Sequence, residues 1–338
     1  MHRPFGILES NTCRLCRFLL FIVVLGSTSE LGRTEEAPTA STVQSVIATP
    51  LTPGDHSRYL NSGAEKRSYI LHVPPGYDPK KPTPVVLALH GAAMNGSMMV
   101  WFTNLNKTAD AKGFIAVYPS GTGPGPLRTW NAGGLISRLK GKKTDDVAFI
   151  GHLLDELESI ANVDRNRIYA CGMSNGGMMS YRLASEMSDR IAAIAAVSGT
   201  MAMDLPEPPR AVPVLHFHGT SDGIVPYGSP INLTPPVFQL LGAEDTVAYW
   251  AKRNGCEEEC QVDMLSREGD KRTVTRRTYP QKATAADVVL VVIDGGGHTW
   301  PGRQVPIAFL GRCARNISAN ELIWEFFEKH PLKQNVPR

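Results

Sequence analysis

Short runs of aliphatic and β-branched residues recur along the chain and alternate with stretches whose apolar residues fall at helical spacing. Ser68–Val73, Pro84–His90, Phe114–Tyr118, Arg167–Cys171, Ile191–Val197, Val212–His218, Val274–Tyr279 and Val288–Ile293 predict strands. Several are apolar at consecutive positions, as in strands buried on both faces of a parallel sheet. Between them, Asp146–Ile160 sets Val147, Ile150, Leu153, Leu154 and Leu157 along one stripe, and Asn175–Met187, Thr246–Asn254 and Ser318–Lys329 carry comparable patterns. No internal repeat interrupts this alternation. The pattern predicts the α/β class, a mostly parallel central sheet with helices on both faces.

The first residues follow a different rule. His2, Arg3, Arg14 and Arg17 precede an apolar run from Phe18 to Leu25, and Gly26, Ser27, Thr28 and Ser29 come next, the order of a secretory signal with a small-residue cleavage site. A membrane anchor is the rival reading, but the run is much shorter than the roughly 20 residues that span a bilayer. Residues 1–29 therefore read as a signal peptide, and the expected location is secreted, periplasmic or extracellular, without a stable membrane span. Residues 30–58, rich in Thr, Ser, Pro and acidic residues without sustained periodicity, read as a linker lacking regular structure. One catalytic domain is expected over residues 59–332, followed by a tail at 333–338.

Charge and cysteine content narrow the choices. A net charge of +3 over 338 residues, with no basic run beyond Lys140–Lys143, gives no footprint for nucleic acid. Export gives the cysteines a meaning. Cys13 and Cys16 leave with the signal, while Cys171, Cys256, Cys260 and Cys313 remain, an even number that admits three disulfide pairings. Cys256 and Cys260 are near enough to pair with each other; buried free thiols are the alternative. No histidine stands at zinc-ligand spacing from that pair, and no metal site or cofactor is expected. Asn-x-Ser/Thr acceptor sequences occur at Asn95, Asn106, Asn232 and Asn316.

The chemistry concentrates in three segments. Gly172-Met173-Ser174-Asn175-Gly176 follows a predicted strand and opens a predicted helix. A sharp strand-to-helix turn exposes its central side chain and needs small residues on either side, where a Cβ would clash. The helix behind Ser174 aims unpaired N–H groups at charge developing on a substrate oxygen. A serine hydroxyl needs a base, and His298 stands in Asp294-Gly295-Gly296-Gly297-His298-Thr299-Trp300-Pro301-Gly302, directly after a predicted strand. A carboxylate must orient that base. Asp222, in His218-Gly219-Thr220-Ser221-Asp222-Gly223 at the end of another strand, is the expected one, with Asp294 as its rival. The order Ser174, Asp222, His298 is that of α/β hydrolases. The backbone N–H of Asn175 and one from the loop after Pro84–His90, Ala92 or its neighbour Ala93, are the expected oxyanion donors; Ala92 is preferred.

With these residues placed, the chain from about Arg67 to Lys329 resembles the secreted α/β-hydrolase esterases related to polyhydroxybutyrate depolymerases, feruloyl esterases and acetylxylan esterases. The resemblance is carried by VVLALHGAAMNG at Val85–Gly96, by DDVAFIGHLLDEL and DRNRIYACGMSNGGMMSYRLA within Asp145–Ala184, by HGTSDGIVPYG at His218–Gly228 and by GGGHTWPG at Gly295–Gly302. It implies Ser174, Asp222 and His298 as the triad, and Asp145–Asp146 as an acidic pair that ties down the helix before the elbow strand. Arg128–Gly133 resembles a substrate-side loop, without the cysteine that follows it in some relatives. Trp130 there and Trp300 beside His298 are candidate aromatic walls for an acyl group, with burial in the core as the other reading. The long Pro-rich stretch Ile224–Gly242 is a candidate cap, or an ordinary surface excursion. The expected partner is an ester substrate, including polymeric ones such as a polyester or plant polysaccharide. The rival functions are a serine peptidase on the same fold and a catalytically silent carbohydrate- or polymer-binding protein.

Overall fold

A computed structural model describes residues 51–333, apart from 64, 135–143, 203–204, 229–240, 267–270 and 285. The expected signal peptide, the acceptor Asn232, the Lys140–Lys143 run and most of the candidate cap lie outside the described residues.

Ten strands form one sheet in the order β1-β2-β4-β3-β5-β6-β7-β10-β9-β8. The strands are β1 (Gly54–Ser62), β2 (Glu65–Val73), β3 (Thr83–Leu89), β4 (Ile115–Pro119), β5 (Val163–Met173), β6 (Ile194–Val197), β7 (Val214–Gly219), β8 (Gln261–Met264), β9 (Val274–Tyr279) and β10 (Val288–Ile293). From β4 across to β10 the neighbours run parallel. Antiparallel pairs close both edges, β1 and β2 on one side, β9 and β8 on the other.

Among the described residues six helices cover the sheet: α1 (Gly96–Thr103), α2 (Leu105–Lys112), α3 (Asp146–Ile160), α4 (Asn175–Glu186), α5 (Ala243–Asn254) and α6 (Ala319–Lys329). The period of two along the strands divides the core. Val85, Leu87 and Leu89 of β3 join an apolar cluster with α3, α4 and α5, while Val86 and Ala88 join a second with α1, α2 and α6. Both faces are therefore buried, which is why the central strands read as continuous apolar runs.

The departures from expectation fall at the edges. The sheet begins at Gly54, five residues before the expected domain start at Tyr59, and β1 alternates half-buried with exposed residues. An edge strand that buries little needs no apolar run, so nothing in its composition separates it from a linker. The strand β8, exposed throughout, was invisible for the same reason. Helices α1 and α2 are eight residues each, separated by Asn104 at a left-handed φ of 51°. Of the two readings left open for Cys171, Cys256, Cys260 and Cys313, free thiols are the one observed, and Cys171 is buried within β5, where burial pushes its thiol up to about 12. The acceptor asparagines Asn95, Asn106 and Asn316 each donate from Nδ2, to Pro126 O, Asp55 Oδ1 and Arg272 O respectively. Among the described residues no helix is long and apolar enough to cross a membrane, and no group of metal-ligating side chains is assembled.

Candidate active site

Strand β5 turns into α4 through Ser174, whose backbone takes φ 55° and ψ −120°, a region that non-glycine residues occupy only when their surroundings enforce it. The enforcement is visible. Ser174 N–H donates to Val197 O of β6 at 2.8 Å, and Ser174 O accepts from Met178 N–H at 2.9 Å. A Cβ on Gly172 would sit 2.3 Å from Gly176 backbone, and one on Gly176 would sit 2.1 Å from Leu89 O. Only glycines let the elbow close on itself and lie against the end of β3. Although Ser174 occupies the N-cap of α4, its side chain makes no capping bond, so the hydroxyl is not spent on the helix.

The loop after β3 lies beside this elbow. A Cβ on Gly91 would be 3.6 Å from Ser174 Cβ, and Ala93 adopts φ 59°, reversing the backbone just beyond. Both Ala92 and Ala93 are half-buried. This brings the two expected sources of oxyanion donors, the β3 loop and the start of α4, to one place.

Asp222 and His298 meet across 76 residues of chain. His298 Nδ1–H donates to Asp222 Oδ2 at 2.8 Å, and Asp222 Oδ1 accepts from Ile224 N–H and Val225 N–H, each at 2.9 Å. Their loops are stitched together: Thr220 N–H donates to Ile293 O, Ser221 N–H to Gly296 O and Gly295 N–H to Thr220 Oγ1. A Cβ on Gly219 would lie 2.3 Å from Gly296 O, so the glycine run after β10 serves close approach as well as bending. Burial alone pushes the Asp222 carboxyl up, but His298, His218 and the Ile224 amide outweigh it and hold the group below the usual carboxylate range. The rival Asp294 is exposed and accepts a hydrogen bond from Thr220 Oγ1 instead.

Behind Asp222 runs a buried chain that sequence reading missed. Tyr181 Oη lies 2.7 Å from His216 Nδ1, His216 Nε2 lies 3.0 Å from His218 Nδ1, and His218 Nε2 lies 2.8 Å from Val225 O. A carbonyl can only accept, so His218 Nε2 carries the proton and its Nδ1 accepts from His216 Nε2–H; His216 Nδ1 in turn accepts from the tyrosine. One backbone oxygen thus fixes two tautomers. Burial keeps both imidazoles below the usual histidine range, and His218 Nε2 also comes within 3.6 Å of Asp222 Oδ2. The available signal was the alternation His216-Phe217-His218, which puts both rings on one face of β7.

The loop from Thr129 to Ala132 is anchored from three directions. Asn175 Oδ1 accepts from Trp130 N–H at 2.7 Å, and Asn175 Nδ2 donates to Trp130 O at 3.2 Å. Asp146, wholly buried, accepts from Asn131 N–H and from Arg67 Nη2, both at 2.6 Å. Asp145 caps α3 by accepting from Ala148 N–H. The acidic pair thus ties down α3, and Asp146 also fixes the Trp130 loop. Trp130 and Trp300 are both fully buried, with indole N–H groups donating to His90 O and Asn320 Oδ1. Their assignment as acyl-facing walls gives way to packing: an indole with no exposed surface and a satisfied N–H is held by the core.

Compared with known proteins, residues 77–261 match the phospholipase/carboxylesterase family. The chain belongs to that family. It is 32% identical over 280 residues to a Nocardia uniformis subsp. tsuyamanensis protein named for esterase activity, NocK, covering 77% of this chain and 78% of the relative. It is 29% identical over 240 residues to feruloyl esterase B of Piromyces equi, covering 69% of this chain and 42% of that longer protein. Among solved structures, an acetyl xylan esterase from Aspergillus awamori superposes with a TM-score of 0.58 over 81% of this chain and 99% of its own, at 15% identity, a likeness of fold. The esterase fold expected from the motifs is the fold present, an α/β hydrolase, and the chain is a carboxylic ester hydrolase.

Proposed function

We propose that this esterase works by acyl transfer through Ser174, His298 and Asp222, on esters carried by plant polysaccharides or short polyesters, outside the cytoplasm. His298 Nε2 takes the Ser174 proton as the serine oxygen attacks the ester carbonyl. The Ala92 and Asn175 N–H groups hold the oxyanion. Collapse expels the alcohol, which receives the proton from His298, and water activated by the same base then releases the acid and restores Ser174. The observation that carries this reading is the buried 2.8 Å bond from His298 to Asp222, formed by loops that stand with the strained Ser174 elbow at the carboxyl edge of the parallel sheet. The feruloyl and acetylxylan activities in the names of relatives support the polysaccharide-ester class, and the apolar run before Gly26 supports export.

The test is hydrolysis of p-nitrophenyl acetate, butyrate and octanoate by protein starting at Glu30, beside Ser174→Ala. Loss of at least about 10³-fold in kcat with an unchanged fold by circular dichroism is expected. A mutant as active as the parent would place the nucleophile elsewhere.

A further inference from the structure

Beside the histidine loop lies a cleft of about 1030 Å³ whose lining includes Lys271, Arg272, Arg312, Arg315 and Thr299, and no acidic residue among those described. Thr299 follows His298 directly, and Gly297 N–H donates to Arg312 O at 2.8 Å, so one wall of the cleft continues the backbone that carries the proposed base. Several guanidinium groups elsewhere meet carboxylates: Arg67 with Asp146, Arg167 with Asp164, Arg190 with Asp155, Arg276 with Asp263 and Arg277 with Glu244. Arg272, Arg312, Arg315 and Lys271 have no described carboxylate within ion-pair distance. Asp294 meets Arg272 only through its backbone oxygen, its carboxylate being bonded to Thr220.

Arg272 is also held in place. Its Nη1 donates to Asp294 O at 3.2 Å and Gly295 O at 2.7 Å, while its own carbonyl accepts from Asn316 Nδ2 at 3.2 Å. Arg312 and Arg315 are exposed and leave their forks to solvent. Like charges gathered in a concave wall repel one another and focus a positive potential, an arrangement that favours anions. Guanidinium forks suit planar or tetrahedral oxyanions such as carboxylate and sulfate. A single small anion fills little of a cleft this size, and four cations spread along it fit a ligand with several charges.

We infer that this cleft is a subsite for an acidic polymer, a chain bearing carboxylate or sulfate groups whose ester is presented to Ser174 while neighbouring anions rest on Arg272, Arg312 and Arg315. The inference deepens the proposed esterase reading and rests on it. It makes the substrate a polyanionic polysaccharide ester rather than a neutral one.

Two measurements on the full mature chain separate the two readings. Acetate release is compared between acetylated polygalacturonate and neutral acetylxylan, for the parent and for Arg312→Gln/Arg315→Gln. The parent is expected to favour the acidic polymer in kcat/KM, and the variant to lose about tenfold of that preference through KM, with p-nitrophenyl acetate hydrolysis reporting that it is folded. An unchanged preference in the variant, or a parent that favours acetylxylan, overturns the subsite. Calorimetric titration with unesterified polygalacturonate and with dextran sulfate needs no turnover and separates carboxylate from sulfate recognition; neutral dextran is the control. Binding that weakens at least tenfold in the variant and as salt rises from about 50 to 200 mM supports the cleft even if the triad is assigned wrongly. Binding absent from the parent, or equal in the variant, sinks it even if Ser174 is the nucleophile.

Discussion

At the residue scale the centre depends on a few side chains whose protonation is set by burial. Asp222 is held ionised by His298, and replacing it by Asn should leave the contacts largely in place while favouring the wrong imidazole tautomer. A fall in kcat/KM of about 10³- to 10⁴-fold is expected, against less than about twofold for Asp294→Asn. Steady-state kinetics on p-nitrophenyl butyrate decides between the two carboxylates. His216 and His218 bear on stability. Both are neutral in the folded protein and lie below the usual range, so between the unfolded value of about 6.5 and their folded values the unfolded chain binds more protons. Folding stability should therefore drop as pH falls below about 6.5, by up to about 1.4 kcal/mol per pH unit for each ring. Urea midpoints measured from pH 7.5 to 5 check this. A profile flat across that window would mean that the rings titrate normally. Asp222 adds a further loss at lower pH, as its carboxyl is protonated through its depressed folded value.

At the element scale, the helix before the elbow strand does more than cover the sheet. The buried pair of Arg67 on β2 and Asp146 on α3 also holds Asn131, and the Arg67 guanidinium lies 4.0 Å from the centre of the Phe149 ring. Asp146→Ala would leave a buried cation and an unpaired amide, with an expected cost of about 3–5 kcal/mol. The double change Arg67→Met/Asp146→Leu should recover part of that stability but not the anchor of the Trp130 loop. Denaturant unfolding beside kcat separates the two roles. Gly176→Ala tests the elbow differently: the added Cβ meets backbone rather than a movable side chain, at 2.1 Å from Leu89 O. A loss of about 3 kcal/mol or failure to fold is expected, measured by thermal unfolding.

At the scale of the whole molecule, two apolar layers share one sheet, and helix α6 helps to cover the layer opposite α3, α4 and α5. Helix α6 stacks Trp324 on Phe114 with ring centroids 4.5 Å apart and Phe327 on Tyr169 at 4.6 Å. Asn320 in the same helix accepts from Trp300 Nε1 and donates to Thr103 O, tying the histidine loop to α1. A chain ending at Ile317 would expose these rings and lose both bonds. It should aggregate or fail to fold, and size-exclusion chromatography of the soluble fraction reads the outcome; a soluble, active truncation would show that α6 is dispensable.

The elbow, the parallel core strands and the four longest helices were legible in the sequence because each is a local rule: small residues where a Cβ collides, apolar runs where both faces are buried, a stripe where one is. Between Asp222 and Asp294 the sequence left a choice, since both stand at strand ends and both fall between Ser174 and His298; the contact of Asp222 with His298 is made only in the folded chain. What tertiary structure alone decided depends on groups far apart in sequence. It turned Trp130 and Trp300 from candidate walls into core, linked Tyr181 to Asp222 through two histidines, and gathered along one cleft four cations that meet no carboxylate among the described residues. Edge strands β1 and β8 were missed because their stability comes from a partner's hydrogen bonds rather than their own burial. Composition records which surfaces a segment must hide, and pairing across the chain determines what those surfaces meet.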